Sequence, residues 1–177
     1  LLNRPIYYPL PRSDIFSRYK PFPEIRSISL HRRLPSTLVL DIEVRRPLGL
    51  LTSQVLGAHT SAVVDETGLV FNGVDSSALP QLIISDSINL GGSISSNQLK
   101  AIKILNSISH LSSSRLTGQL SDSTLTVTMS PLTTVLLDVN RLPDDWPAPL
   151  QSIFTRSKID GKFSRKIDMR FSHPYEE

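Results

Sequence analysis

The fold class is decided by the stretch SNQLKAIKILNSISHL, residues 96–111, and by the short β-strands predicted to follow it. Within this stretch an apolar residue recurs at every third position, which predicts a helix with one apolar face: Leu99, Ile102, Leu105 and Ile108. Ser95 or Ser96 is in position to cap the helix N-terminus. Alternating patterns predict strands over residues 115–120, 124–129 and 133–139. A helix joined to short strands in this way indicates an α+β fold.

Further elements are predicted on the N-terminal side of this helix. Polar and apolar residues alternate over residues 25–32 and 37–45, which predicts a half-buried β-hairpin. A short helix is predicted before it, over residues 13–19. Short apolar runs predict strands over residues 48–52, 61–65, 69–72 and 82–84. The N-terminal half of the chain is therefore expected to consist mainly of strands.

The charge of the chain changes at Pro47. Residues 1–47 contain nine Lys or Arg and four Asp or Glu, a net charge of +5, whereas residues 48–177 contain ten and twelve, a net charge of −2. We therefore predict a domain boundary at Pro47, with one unit over residues 1–47 and a second over residues 48–177. The basic unit fits either a polyanion-binding surface or a solvated, arginine-rich sheet face, and no nucleic-acid-binding motif accompanies the arginines.

The C-terminal residues predict a last strand. Asp144 or Asp145 is expected to cap a short helix near residues 150–155, and the strand follows over residues 165–171. Its alternation predicts two faces, with one set of residues toward the core and the other toward solvent: Ile167, Met169 and Phe171 inward, and Lys166, Asp168 and Arg170 outward. Such a strand either accepts a strand from a partner or is an edge protected by its charged side chains. The pattern leaves both alternatives open.

Residues suited to catalysis or metal binding do not occur in patterns typical of those functions. The 177-residue chain has no cysteine, which excludes a disulfide scaffold, a thiolate zinc site and a cysteine nucleophile. The histidines lie far apart, without the spacing of a helical metal pair: His31, His59, His110 and His173. No phosphate-binding glycine loop and no Gly-x-Ser-x-Gly motif occurs. We therefore expect no enzymatic activity, no cofactor and no metal, although a Ser, His and Asp triad assembled in space leaves a secreted hydrolase open.

The overall charge and hydropathy restrict the partners. A net charge of +3 is too small to imply a nucleic-acid partner. No apolar run approaches the ~20 residues of a membrane span. The chain begins at Leu1 rather than Met, so we expect that the native N-terminus, with any signal or anchor, lies upstream.

Four segments, in this order, resemble the FtsQ/DivIB family of bacterial cell-division proteins. The first combines FPEIRSISL at residues 22–30, RRLPSTL at 32–38 and RRP at 45–47, and it is similar to the end of the family's POTRA domain. VDETGLVF at residues 64–71 matches the family's Val-Asp-x-x-Gly-x-Val-Phe turn, and LPQL follows at residues 79–82. KIDMRF at residues 166–171 matches Ile-Asp-Leu-Arg-Phe/Tyr in the terminal strand. Leu34 and Val44 stand where the family often has Trp and Glu.

The resemblance implies an architecture for the two units. Residues 1–47 would be the C-terminal half of a POTRA domain. Residues 48–177 would be the β domain, a curved antiparallel sheet with flanking helices. A single membrane span, absent from this chain, would precede the POTRA domain and anchor the protein in the bacterial cell membrane. Both units would then lie on the extracytoplasmic side, at the division septum.

The resemblance also implies a function and a site. Such proteins are non-enzymatic scaffolds of the divisome that bind FtsB- or DivIC-like and FtsL-like small coiled-coil proteins, partly by strand addition at the last strand. The implied partner-binding residues lie in this strand and just after it: Lys166, Ile167, Asp168, Met169, Arg170, Phe171 and His173. Arg170 is expected to form charge-assisted hydrogen bonds with an acidic partner, and Phe171 to make apolar contact. The alternative that keeps the POTRA-like unit is a chaperone or secretion module of the cell envelope.

Overall fold

The chain divides into two compact units at the Arg46–Pro47 bond. The computed structural model describes residues 17–19, 21–33, 37–55, 58–73, 78–112, 115–129, 133–143, 145–171 and 174–176. The units are Leu1–Arg46 and Pro47–Glu177. Pro47, at which the sequence predicts the boundary, is the first residue of a strand in the second unit. Of the helix predicted over residues 13–19, residues 17–19 are helical and the others lie outside the described residues.

The first unit contains an antiparallel hairpin of β1 (Ile25–Arg33) and β2 (Thr37–Val44). One face of the hairpin is polar, and there the Ser27 hydroxyl donates a 2.8 Å hydrogen bond to Glu43. The other face carries aliphatic side chains that are 39–60% exposed: Leu38, Leu40, Ile42 and Val44. The prediction that β2 is half-buried is therefore wrong for the described residues. A two-stranded sheet gives each side chain only one row of cross-strand neighbours, which does not bury an aliphatic face.

The second unit is built on one nine-stranded sheet. In chain order its strands are β3 (Pro47–Val55), β4 (Ala58–Asp65), β5 (Val70–Phe71), β6 (Gln81–Ile84), β7 (Thr117–Ser121), β8 (Thr124–Met129), β9 (Thr133–Asp138), β10 (Lys166–Asp168) and β11 (Tyr175–Glu176). In space they lie in the order β11-β10-β9-β8-β7-β6-β3-β4-β5. Two helices connect strands of this sheet: α1 (Ser96–Ile108), extended by a 3₁₀ turn at Ser109–Leu111, and α2 (Pro147–Asp160).

The predicted α+β class is confirmed, but the sheet is mixed rather than antiparallel. The pairs β3–β6, β6–β7 and β9–β10 are parallel. Neighbouring parallel strands need a long crossover connection, which a helix commonly supplies. Here α1 connects β6 to β7, and α2 connects β9 to β10. The expectation of antiparallel pairing throughout is wrong at β6–β7 and β9–β10 because these two helices return the chain to the end of the sheet at which the preceding strand began. It is wrong at β3–β6 because the chain passes through β4 and β5 before β6 pairs with β3.

Helix α1 forms the centre of the core of the second unit. Ser95 caps it as predicted: its hydroxyl accepts from the Gln98 N–H at 3.3 Å, and Gln98 Oε1 accepts from the Ser95 N–H at 3.0 Å. This reciprocal pair is a capping box. The face of α1 that meets the sheet is fully buried: Ala101, Ile102, Leu105 and Ile108. Three residues of the period-three pattern therefore lie in the buried face of the helix, whereas the fourth, Leu99, is half-buried.

Two glycines let α1 lie close to the sheet. A Cβ atom at Gly49 in β3 would lie 2.9 Å from Ile102 Cγ2, and one at Gly118 in β7 would lie 2.9 Å from Leu105 Cδ1. Separations below 3.0 Å are shorter than carbon atoms tolerate. The absence of a side chain at these two positions therefore sets the distance between α1 and the sheet.

The turn between β4 and β5 depends on the Asp65 carboxylate. Its Oδ1 accepts hydrogen bonds from the Thr67 N–H at 2.9 Å, the Thr67 hydroxyl at 2.6 Å and the Leu69 N–H at 3.0 Å. Gly68 has a φ of +87°, in the region that favours glycine. The Asp and Gly of the VDETGLVF segment are therefore required by the geometry of this turn.

Helix α2 begins differently from the prediction. Its N-cap is Trp146, with no side-chain cap hydrogen bond, and Pro147 is its first residue. Asp145 precedes the cap, and Asp144 lies outside the described residues. The predicted aspartate cap is therefore wrong for Asp145, because a proline in the first turn has no N–H group to be capped and already has a helical φ.

Replacing Gly118 with Ala tests the close approach of α1. The new methyl group would lie about 3 Å from both Leu105 and Leu125. We therefore expect the free energy of unfolding, measured by urea denaturation, to fall by about 1–3 kcal/mol. In a Leu105→Ala background the same change should cost less, because part of the space has been vacated. Equal losses in both backgrounds would contradict this account of the packing.

Candidate partner-binding edge

The predicted last strand is not the edge of the sheet. The sequence predicts a strand over residues 165–171, whereas β10 spans only Lys166–Asp168 and pairs on both sides, parallel with β9 and antiparallel with β11. The terminal strand at this end is β11, which the sequence analysis missed. Pro174, directly before β11, is the sequence signal that could have indicated a return of the chain, since proline favours turns and edge strands.

The alternation of side chains stops with β10. Ile167 and Met169 are buried, as predicted, with 1% and 7% of their surface exposed. Phe171, predicted to face the core, is 67% exposed, and Asp168, predicted to face solvent, is buried. Both predictions are wrong. Phe171 is exposed because the chain leaves the strand after Asp168 and bends at Arg170 and Phe171. Asp168 still lies in β10, and it is buried because the Arg170 guanidinium covers its carboxylate. Lys166 is exposed, as predicted, and His173 lies outside the described residues.

Asp168 is buried against Arg170. The carboxylate accepts from the Arg170 backbone N–H at 3.0 Å, from Nε at 2.9 Å and from Nη2 at 2.6 Å. The Asp168 side chain is 8% exposed and the Arg170 side chain 39% exposed. One carboxylate therefore holds both the backbone and the guanidinium of the same arginine, and it stabilises the bend that ends β10.

Each member of this pair stabilises the ionised form of the other. The hydrogen bond from the Arg170 side chain holds the pKa of Asp168 below its ordinary value of 3.8, against the opposing effect of burial. The same hydrogen bond raises the pKa of Arg170. Both groups are therefore ionised throughout the neutral pH range.

The edge beside this pair carries exposed aromatic side chains. Arg170 Cζ lies 5.9 Å from the centroid of the Phe171 ring, within the range of a cation–π contact. Tyr175 in β11 is 63% exposed. We name the group formed by Arg170, Phe171 and β11 the C-terminal edge. It combines a positive charge, two exposed rings and the end of a sheet.

The backbone of β11 presents hydrogen-bonding groups away from the sheet. The Arg165 carbonyl and the Met169 N–H form hydrogen bonds with β9. Along a strand the backbone groups of successive residues point alternately to the two neighbouring strands, so the N–H and carbonyl of Asp168 point toward β11. Asp168 lies opposite Tyr175 in the register. Tyr175 therefore directs its backbone groups to β10. Glu176 directs its N–H and carbonyl outward, where a further strand would pair.

The other edge of the sheet is covered by the chain itself. The Val70 N–H donates to the Gly92 carbonyl at 2.9 Å, and the Gly91 N–H donates to the Val70 carbonyl at 2.8 Å. Leu69 forms a bridge with Ser93. The Gly91-Gly92 segment therefore occupies the place that a tenth strand would take beside β5.

The residues suited to metal or acid–base chemistry do not converge. His31 Nε2 lies 3.4 Å from Asp41 on the exposed polar face of the hairpin, and His110 lies in the 3₁₀ turn. The His59 side chain is not among the described ones. Within the described residues no group of three or more His, Cys, Asp or Glu side chains could hold a metal ion. In the same part of the chain no helix is long and apolar enough to cross a membrane.

The Asp168–Arg170 pair predicts a pH dependence of stability. Because the pKa of Asp168 is lowered in the folded state, the pair stabilises the protein above the ordinary pKa of 3.8 and loses this contribution as the pH falls through the lowered value. We expect the wild-type protein to have a larger free energy of unfolding than the Asp168→Asn variant. This difference should be largest at neutral pH and should shrink in acid. Urea unfolding between about pH 2 and pH 7 measures it.

The matched control is the same comparison in an Arg170→Ala background. There the gain of wild-type Asp168 over asparagine at neutral pH should disappear or change sign, because the partner that lowers the carboxyl pKa is gone while burial still raises it. A difference between wild type and Asp168→Asn that stays constant across the whole pH range would contradict the assignment.

The likeness to the FtsQ/DivIB proteins rests on the four sequence segments and on their order. No model of a known protein family matches the chain, and no curated protein matches it.

Proposed function

We propose that this chain is the extracytoplasmic part of a divisome scaffold of the FtsQ/DivIB kind. It is a non-enzymatic binding module that holds FtsB- or DivIC-like and FtsL-like coiled-coil proteins at the septum and so supports septum formation. An N-terminal span outside this chain anchors it in the cell membrane. The support is the resemblance of the four segments, and the geometry of the C-terminal edge.

The observation that carries the proposal is the C-terminal edge itself. Phe171 and Tyr175 are 67% and 63% exposed, and Arg170 is held beside Phe171. Aromatic and arginine side chains are the residues most often found to dominate binding energy at interfaces. The outward N–H and carbonyl of Glu176 add the backbone groups that strand addition uses. The partner strand pairs with β11, and not with β10 as the sequence alone predicts.

We extend the proposal to the two units. The β1–β2 hairpin belongs to a POTRA domain, and the nine-stranded sheet with α1 and α2 is the β domain. The exposed aliphatic face of β2 supports the first assignment, because a hairpin of two strands needs a further element to bury such a face. The FtsQ-type turn and terminal segments, at residues 64–71 and 166–171, support the second.

Photo-crosslinking in dividing cells tests the function. With a photoreactive residue at Phe171 of the full-length protein, we expect capture of a small single-pass coiled-coil protein at the septum, because this side chain is exposed at the edge. The matched control carries the photoreactive residue at Ile159 of α2, which is 79% exposed on a different element, and there we expect no capture of that protein. A protein that folds but never localises to the septum would contradict the division function.

Strand addition is tested separately at Glu176. Glu176→Pro removes the outward N–H without removing a β10–β11 hydrogen bond, and Glu176→Ala removes the same side chain but keeps the N–H. We expect the proline variant to bind the FtsB-like protein about tenfold more weakly, as loss of one interface hydrogen bond with a local backbone restriction implies. The alanine variant should bind like wild type. Equal affinities for the two variants would show that the partner does not pair with β11.

A further inference from the structure

The partner-binding residues implied by the resemblance include Asp168, but the structure leaves it little surface to offer a partner. Its side chain is 8% exposed, and its carboxylate oxygens are engaged by Arg170. We propose that Asp168 is a positioning residue, which fixes the Arg170 guanidinium at the C-terminal edge so that it receives a carboxylate group of the partner. This inference rests on the proposed function and assigns a new role within the same site.

The first step of the argument is the number of anchors on one side chain. An arginine side chain has four rotatable bonds and samples many conformations when it is free in solvent. Here three donors of Arg170, the backbone N–H, Nε and Nη2, all end on the Asp168 carboxylate. The loop closed between the backbone and the guanidinium leaves the group a single arrangement. The conformational freedom is lost before a partner arrives.

The second step is the group that this arrangement leaves for a partner. Among the described residues, Nη1 of Arg170 makes no hydrogen bond. The guanidinium side chain is 39% exposed. A planar guanidinium with one edge on Asp168 presents its remaining N–H groups in the same plane, and carboxylates bind such groups best in that plane. A carboxylate on the added strand of the partner fits this position.

The third step is the neighbouring ring. Arg170 Cζ lies 5.9 Å from the Phe171 ring centroid, so the position of the guanidinium also influences where the ring rests. Asp168 therefore orders a charged group and an aromatic surface together. A purely structural role would be complete with the bend after β10 and would not require the guanidinium to stay exposed at the edge.

The test is a double-mutant cycle between Asp168 and Arg170. Asp168→Asn is close to isosteric, keeps one oxygen for the Arg170 backbone N–H and replaces the other by a donor that repels the guanidinium. The probe is the extracytoplasmic segment of the FtsB-like protein of the same organism, titrated against the full chain. When Arg170 is present, we expect Asp168→Asn to weaken binding of the FtsB-like segment about tenfold. In an Arg170→Ala background we expect the same substitution to leave the affinity unchanged.

A matched control separates position from charge. Asp138 in β9 also acts on Arg170 through its charge, without a hydrogen bond to it. Asp138→Asn removes the same charge and should leave the affinity close to wild type. Nuclear magnetic resonance of the Arg170 side chain gives a readout that needs no partner: two distinct Nη signals in wild type, merging in Asp168→Asn as the guanidinium rotates freely.

The outcomes are distinct. Unchanged affinity of Asp168→Asn, equal losses in both backgrounds, or Nη signals that stay separate in the variant each overturn the positioning role while leaving the scaffold function in place. A wild-type chain that binds neither coiled-coil protein overturns the proposed function, and this role with it. If Asp168→Asn does not fold, Asp168→Glu replaces it in the cycle, because it keeps the charge but displaces the carboxylate by one methylene group.

Discussion

The second unit depends on how closely α1 lies against the sheet. Gly49 and Gly118 have no side chain at the two places where Ile102 and Leu105 reach the strands, and the interior is packed too tightly for an added methyl group there. The same helix connects β6 to β7 and makes them parallel. Its position therefore determines the order of the central strands as well as the core. The strands β8, β9 and β10 then extend the sheet outward from β7, each pairing with the one before it.

The candidate site is a consequence of the second crossover. Helix α2 returns the chain to β9, so β10 enters the sheet parallel to it and ends after three residues at Asp168. The chain must then reverse, and the reversal places Arg170 and Phe171 outside the strand. Asp168 is buried, and a buried carboxylate requires a charged or hydrogen-bonding partner. The nearest one available is the arginine two residues later, which is why the bend and the charged edge occur together.

The sequence predicted the helices and strands well, but it predicted less well which strands pair with each other in the sheet. The N-cap of α1, which the sequence assigns to Ser95 or Ser96, the apolar face of this helix and the limits of β8 are local patterns, and each was predicted from the sequence. The parallel pairs depend on which strands meet in space, and no local pattern reports that. At the site, alternation identified Ile167 and Met169 as buried but misplaced Asp168 and Phe171. The rule of period two applies only while the chain stays extended, and the end of β10 leaves no signature in a six-residue segment that alternates throughout. The two residues of β11 were too few to show any period.

The two ends of the sheet differ in whether a further strand can pair there. Beside β5, the Gly91-Gly92 segment already takes up the Val70 backbone groups, so no strand can join there. At the opposite end, β11 is two residues long, and Pro174 before it has no N–H to offer. A strand added at that end would meet a short template. Within the proposed function, one end of this sheet is closed by its own chain, so strand addition at the other end implies a single partner strand for each sheet.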